Sequence, residues 1–299
     1  MFGIKTFKRE TKRDKIYLIF VVALLLIMGF ITVYPFYYVV CVSFSDPIEF
    51  ASRGVSFLPV GFSIASYQKV FESHGIWRAV KNSIVITAIG SAMSLFLTSM
   101  GGYVFSRKRL VFREFWVILT IIPMYIGGGT IPSYILINKL GLYNSIWAII
   151  VPGLTSTYYL VLARSYYDTL PVELEESAWL DGANDIYIYF RIMMPLAKPI
   201  MAVLFLYFAV GLWNVYLPAV MYLTKSSQMP IQVFLSDVVL GSVAIDSAAE
   251  SVQNSQDKAL ISQQLKYALV IIGILPIMCI YPFVQKYIVK GMMLGSLKG

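Results

Sequence analysis

Residues 82–105 read NSIVITAIGSAMSLFLTSMGGYVF, twenty-four consecutive positions without a Lys, Arg, Asp or Glu. A helix needs roughly 20 such residues to cross about 30 Å of hydrocarbon, so this stretch alone predicts a membrane span. Five more charge-free segments of 19 to 27 residues accompany it, at about 16–42, 115–137, 144–163, 199–223 and 267–285. The whole chain of 299 residues is 58% hydrophobic and only 13% charged. Ordinary soluble domains carry roughly 25% charged residues, so there is too little charge here to cover a water-facing surface. Six such runs buried in a soluble core would leave that core no polar outer face. The reading is an all-α, polytopic membrane protein with six transmembrane helices.

The net charge of +8 raises the question of nucleic acid, but its distribution answers it. Lys and Arg flank the apolar runs and crowd one set of loops. With the N-terminus inside, the inner segments (1–15, 106–114, 164–198, 286–299) hold 16 Lys and Arg in 73 residues, and the outer ones (43–81, 138–143, 224–266) hold 8 in 88. The positive-inside bias therefore predicts that both termini are cytoplasmic, with Arg107, Lys108, Arg109 and Arg113 as the strongest anchor. The basic start and first apolar run resemble a secretory signal, yet the run is too long and no small-residue cleavage site follows. A retained anchor is expected. The domain reading is a basic segment 1–15 and a transmembrane domain 16–299, with an inner loop 164–198, an outer loop 224–266 and a tail 286–299.

Several chemistries lack their residues. There is no GxxxxGK[ST] phosphate cradle, so no P-loop ATP site is expected in this chain. The spans hold no Asp, Glu or His for an ion relay. His74 is the only histidine, and Cys41 and Cys279 both lie in apolar runs, which leaves no His-rich metal site and no disulfide framework. Neither catalytic nor metal-ligating residues are expected. What remains is the membrane part of a machine energised by another subunit, or a stand-alone channel or carrier.

The inner loop is the most informative segment. It begins at Asp168 and runs DTLPVELEESAWLDGANDIYIYFRIMMPLAKP to Pro199. Asp168 or Thr169 can cap a helix with Pro171 early in it, followed by Glu173, Glu175 and Glu176 at the end that favours anions. Asp181-Gly182 breaks this helix, Asn184 can cap a second, and Pro195 ends that one. A helical hairpin on the inner leaflet is one reading. Docking to a basic protein partner is the other, favoured because five acids (Glu173, Glu175, Glu176, Asp181, Asp185) face Arg191 alone, whereas leaflet helices present Lys and Arg.

These residues also carry a resemblance. Glu176-Ser177-Ala178, then Asp181-Gly182-Ala183, then Ile192-Met193-Met194-Pro195, resembles the Glu-Ala-Ala loop of bacterial ATP-binding-cassette importer permeases. Further stretches agree: YPFYYVVCVSFS, the first outer FLP, NSIVITAIGSAMSLFLTSMGGYVFSR, LWNVYLPAV and the final KGMMLGSLKG. The chain is similar over nearly its full length to the carbohydrate-uptake branch, of the maltose importer G-subunit type. Ser177 departs from the usual Ala but stays small.

The resemblance implies a type I importer permease fold in a bacterial cytoplasmic membrane and a cargo of carbohydrate, in particular oligosaccharide. It implies a second, non-identical permease subunit, a dimer of ATP-binding subunits that hold ATP and Mg, and an extracytoplasmic solute-binding protein. No cofactor is expected in this chain, and no nucleic acid partner. Glu176, Ser177, Ala178, Asp181, Gly182, Ala183 and Pro195 would couple to the ATPase. The tail Gly291 to Gly299, with Lys298 and Gly299, would reach the ATPase dimer. Gln228, Gln232 and Asp237, in the segment Ser226 to Leu240, would meet the binding protein. Trp213, Asn214 and Tyr216 would line the pathway, since aromatic faces beside an amide suit sugars; their packing between helices is the alternative. A polyamine or glycerol phosphate stands as the alternative cargo within the same family.

Overall fold

The computed structural model describes residues 12–54, 57–240, 264–282 and 285. The described residues are helical and contain no strand. They form two units, one from the described residues up to 72 together with 264–271, the other from 73–240 together with the described residues from 272 on.

In the first unit α1 (Lys12–Ser43) is mostly apolar and exposed over most of its length, as a helix facing lipid or another subunit requires, while its last residues Cys41, Val42 and Ser43 are buried. α2 (Pro47–Arg53) is capped by Asp46, whose carboxylate accepts the Ile48 and Glu49 amides, and α3 (Ala65–Glu72) follows. The Gln264 amide donates to the carbonyls of Val42 and Ser45, satisfying the end of α1.

The second unit is organised on α4 (His74–Ser106), 33 residues long. Its buried row is unusually small and polar: Ser83, Ser91, Ser94, Thr98, Ser99 and Ser106, with Gly90 and Gly102 between them. Small residues let backbones approach closely, which is how helices associate where lipid removes the hydrophobic drive. There follow α5 (Arg113–Tyr125), α6 (Thr130–Lys139), α7 (Trp147–Ile150), α8 (Thr157–Tyr167), α9 (Glu173–Leu180) and α10 (Asp185–Ile188). A π turn (Tyr189–Met193) leads into α11 (Met194–Leu196), then α12 (Lys198–Trp213), α13 (Leu217–Tyr222) and α14 (Ile231–Val239); α15 (Gln264–Pro282) begins in the first unit and belongs to the second from Ile272. The core packs Tyr103 of α4 and Ala163 and Tyr167 of α8 with Ile200, Leu204 and Phe208 of α12.

Among the described residues three helices are long and apolar enough to cross a membrane, α1, α4 and α15, and two bent pairs would raise that to five. The six spans expected from the sequence do not all form as single straight helices among the described residues. Segment 115–137 is bent by 115° between α5 and α6, where Gly127, Gly128 and Gly129 follow Pro123 and offer no side chain to hold one axis. Segment 144–163 splits at a 3₁₀ turn through Pro152, and 199–223 stops at Trp213 before resuming at Leu217.

Gly102 sets the α4–α8 distance. A Cβ there would stand 2.5 Å from the Ala163 Cβ and 3.0 Å from the Arg164 backbone nitrogen, neither of which can swing away. At Gly101 the nearest atom, 3.1 Å off, is the flexible end of Leu160. Gly102→Ala should therefore destabilise the helix pair by about 1–3 kcal/mol. Gly101→Ala should hold or raise stability by up to ~1 kcal/mol through helix propensity. Thermal melting of the detergent-solubilised chain separates the two.

Candidate functional site: a buried ion pair beneath an exposed helix

α4 ends at Ser106, and Arg107 follows as its C-cap, where a cation meets the negative end of the helix dipole. α9 starts at Glu173, so Glu175 lies in its first turn, where an anion meets the positive end. The two meet as a buried ion pair, 7% and 4% exposed. Remaining valences are filled. Glu175 also accepts from the Tyr103 hydroxyl and Arg109, both at 3.2 Å, while Arg107 donates to the Tyr167 carbonyl at 3.1 Å and to Ser106 Oγ at 2.8 Å. The guanidinium of Arg107 further lies 4.9 Å above the Tyr103 ring.

Around this pair a second tier forms. Arg109 pairs with Asp185 at 2.7 Å and stacks 3.8 Å over the Trp179 ring, and Trp179 Nε1 donates to the same Asp185 at 3.1 Å. Arg113 and Arg164 flank Asp168 at 3.5 and 3.6 Å. Below, the Tyr189 hydroxyl donates to Ser99 Oγ at 3.0 Å, and Ser99 shares a 2.8 Å hydrogen bond with Tyr167. Burial pushes the phenol of Tyr167 above its usual range. A cavity of about 440 Å³ lies between Ser106–Arg109 and α9, lined also by Tyr167, Asp168, Glu176 and Trp179.

This corrects the sequence reading of five free acids. Glu175 and Asp185 are engaged by Arg107 and Arg109, the residues read only as an orientation anchor. Glu173, Glu176 and Asp181 have no ion pair among the described residues and are exposed, as is Ser177, while Ala178 is buried. Opposite charges on loops assigned to one side indicate an attraction between them but do not name the partners.

The turn after α9 forms as expected. Gly182 adopts φ +83°, its amide donates to the Trp179 carbonyl at 2.9 Å, and Ala183 N–H donates to Ala178 at 2.9 Å, the double bond of a Schellman motif. Asn184 caps the next helix by accepting the Tyr187 amide at 2.8 Å. Two details differ. Neither Asp168 nor Thr169 caps α9, since Asp168 turns to the arginines and Thr169 Oγ1 donates to Tyr166. Pro195 does not end the second helix either, because the π turn before it alters the hydrogen-bond register and the chain stays helical to Leu196.

At the other end, Trp213 is buried, donates its indole N–H to the Gly273 carbonyl at 2.8 Å and lines an apolar cavity of about 230 Å³ with Ile84, Phe205 and Pro276. Asn214 and Tyr216 are exposed at the α12–α13 break. Gln232 donates to Asn214 at 3.2 Å and Ser236 to the Tyr216 hydroxyl at 3.2 Å. The structure thus joins the residues expected to line a pathway to those expected to meet a binding protein. Gln228 and Asp237 stand apart from these pairs, and Lys298 and Gly299 lie outside the described residues.

Helices long and apolar enough to cross a membrane mark a membrane-protein class. The chain belongs to the family of binding-protein-dependent transport system inner membrane components, which matches residues 90–294. It is 33% identical over 287 residues to the polygalacturonan/rhamnogalacturonan transport system permease protein YtcP of Bacillus subtilis, covering 96% of this chain and 100% of the relative. It is 36% identical to Protein LplC of the same organism over 91% of each. Among solved structures, a bacterial ABC transporter involved in the import of the acidic polysaccharide alginate superposes with a TM-score of 0.84 at 28% identity, covering 93% of this chain and 98% of that one.

Removing one partner of a buried pair strands the other charge. Glu175→Ala should destabilise the chain by about 3–5 kcal/mol, and Glu176→Ala, on the exposed face one residue away, by less than ~0.5 kcal/mol. Melting curves of the two variants check this contrast.

Proposed function

We propose that this chain is one of two permease subunits of an ATP-driven importer of oligosaccharides, with α9 as the element that docks on an ATP-binding subunit. ATP and Mg are held by those partners, a solute-binding protein delivers the cargo, and both termini face the cytoplasm. Six membrane crossings result if the bent and broken helices each complete a span.

One observation carries the docking assignment: α9 is locked on one face and open on the other. Glu175 and Ala178 are buried, whereas Leu180 is 90% exposed beside the free carboxylates of Glu176 and Asp181. An exposed apolar tip ringed by acids on a helix held rigid below fits a cleft with an apolar floor and basic rim. Gly182 then serves as the turn that fixes α9 against the following helix. The cargo reading is supported by the relatives, whose named substrates are polysaccharides. Uronic-acid oligomers are the first class to test, because polygalacturonan and alginate are both built from uronic acids.

Leu180→Asp should abolish co-purification of the ATP-binding subunits while leaving the chain in the membrane at its normal level. Full retention of those subunits would exclude α9 as the docking element. For the cargo, titration calorimetry of the cognate binding protein should show heat with oligogalacturonides or alginate oligomers. Heat with neutral oligosaccharides alone would reassign the class without disturbing the docking.

A further inference from the structure

The loop between α8 and α12 holds two helical pieces at different depths. α9 stands at the Ser106 end of α4, fastened there through the Arg107–Glu175 pair. After the Gly182 turn the chain is helical from Asp185 to Leu196, through α10, the π turn and α11, and it meets α12 at a bend of 82°. α12 opens the charge-free segment 199–223, so a helix nearly at right angles to it runs along the membrane plane. α4 sets its depth. The Tyr189 hydroxyl donates to Ser99 Oγ at 3.0 Å, and the Phe190 ring stacks on Phe96 with centroids 6.3 Å apart. Ser99 and Phe96 lie about 10 and 15 Å along α4 from Ser106. These contacts therefore fall within the charge-free run 82–105 and not below it.

One face of this in-plane helix packs into the core through Ile188, Tyr189 and Met193. Away from that face Ile186, Phe190 and Leu196 are exposed, and so are Arg191 and Lys198. Neither cation has an ion pair among the described residues. Asp185, the only acid in 185–198, is already engaged by Arg109 and Trp179. Exposed apolar side chains beside Arg and Lys, on a helix in the membrane plane, are what an interfacial helix presents to lipid. The aliphatic stems of Arg191 and Lys198 let their charges reach the headgroups while the backbone stays among apolar groups. A protein covering the same face would have to bring carboxylates to that depth, where burying them is unfavourable, whereas anionic lipid carries its phosphate at the surface already.

We propose that residues 185–198 form a binding site for anionic phospholipid, in which Arg191 and Lys198 draw the headgroups and Phe190, beside Phe96 of α4, packs against acyl chains. The inference rests on α12 crossing the membrane and is independent of what α9 docks to. The loop is then divided between two surroundings. Its first helix keeps surplus acid on an open face, and its second keeps surplus base where lipid phosphate lies. A helix on the leaflet and a helix offered to a protein are not rival readings of one segment but describe its two halves.

The test uses the whole complex with its ATP-binding subunits, reconstituted in vesicles of equal parts phosphatidylcholine and phosphatidylglycerol. The photoreactive residue p-benzoylphenylalanine replaces Phe190 in one preparation and Leu196 in another, and the adducts formed on illumination are weighed by mass spectrometry. Both positions should yield phospholipid adducts, with phosphatidylglycerol exceeding phosphatidylcholine by about fivefold, the preference that one cation near a membrane surface gives. With Arg191→Gln/Lys198→Gln added, lipid adducts should form at the same yield while that ratio falls to about one. Adducts to the second permease subunit or to an ATP-binding subunit, no adduct, equal capture of the two lipids without the added substitutions, or a preference that survives them each overturn the site. Retained ATP-binding subunit, measured in the same samples, shows that each variant assembles. Should the probe at Phe190 prevent assembly, Leu196, which makes no ring contact, decides alone, and should the double substitution do so, Arg191→Gln by itself carries the comparison.

Discussion

The second unit depends on one buried ion pair. Arg107 and Glu175 are both nearly inaccessible, and bringing two ions out of water is unfavourable unless geometry and further hydrogen bonds offset it. Here each charge sits at the helix end whose dipole favours it, and Tyr103, Arg109, Ser106 and the Tyr167 carbonyl fill the remaining valences. A hydrophobic contact of the same area would slide. The ion pair has one register, so it fixes where α9 stands relative to α4, and with it the orientation of Leu180 and the free acids on the opposite face.

The same constraint explains a composition that otherwise looks wasteful. Positive charge between the second and third apolar segments is expected from the inside bias alone, and acid on the following inner segment would then oppose it. The structure uses both at once. Arg107 and Arg109 turn toward the acidic segment, neutralising Glu175 and Asp185, and the acids left over are those on the open face of α9. A segment whose acids were all free would repel itself; one whose acids were all paired would have nothing to offer a basic rim.

How much of this was legible depends on whether the signal was local. The α9 turn at Gly182 and the Asn184 cap are local: each is written in two or three adjacent residues, and both form as the sequence indicates. The class of protein was also legible, because the lack of charge over whole segments has no other physical reading. The pairing of Arg107 with Glu175 was not, since 68 residues separate them and periodicity says nothing about partners that far apart. Nor was the 115° bend between α5 and α6: glycines permit a bend but do not require one. Trp213 shows a third limit of local reading. An aromatic beside an amide suits a sugar, but the sequence cannot show that its indole N–H is already taken by the Gly273 carbonyl.

That bend has a consequence for assembly. Irregular backbone at membrane depth is tolerated only where protein covers it or water reaches it, because lipid cannot satisfy the freed amides and carbonyls. Residues 126–129, between α5 and α6, are exposed in the isolated chain, and no atom lies within 4 Å of where a Cβ on Gly127, Gly128 or Gly129 would be. The flanking helices add Phe115, Ile118, Ile122, Ile131 and Ile135, all exposed. Lipid against the bend would leave polar groups unmet, and water against the flanks would leave a broad apolar patch. A second membrane subunit answers both demands, with its own polar groups or enclosed water meeting the bend and its apolar helices covering the flanks. On this argument the bend belongs to the assembled permease pair, and a chain purified alone would be least ordered there.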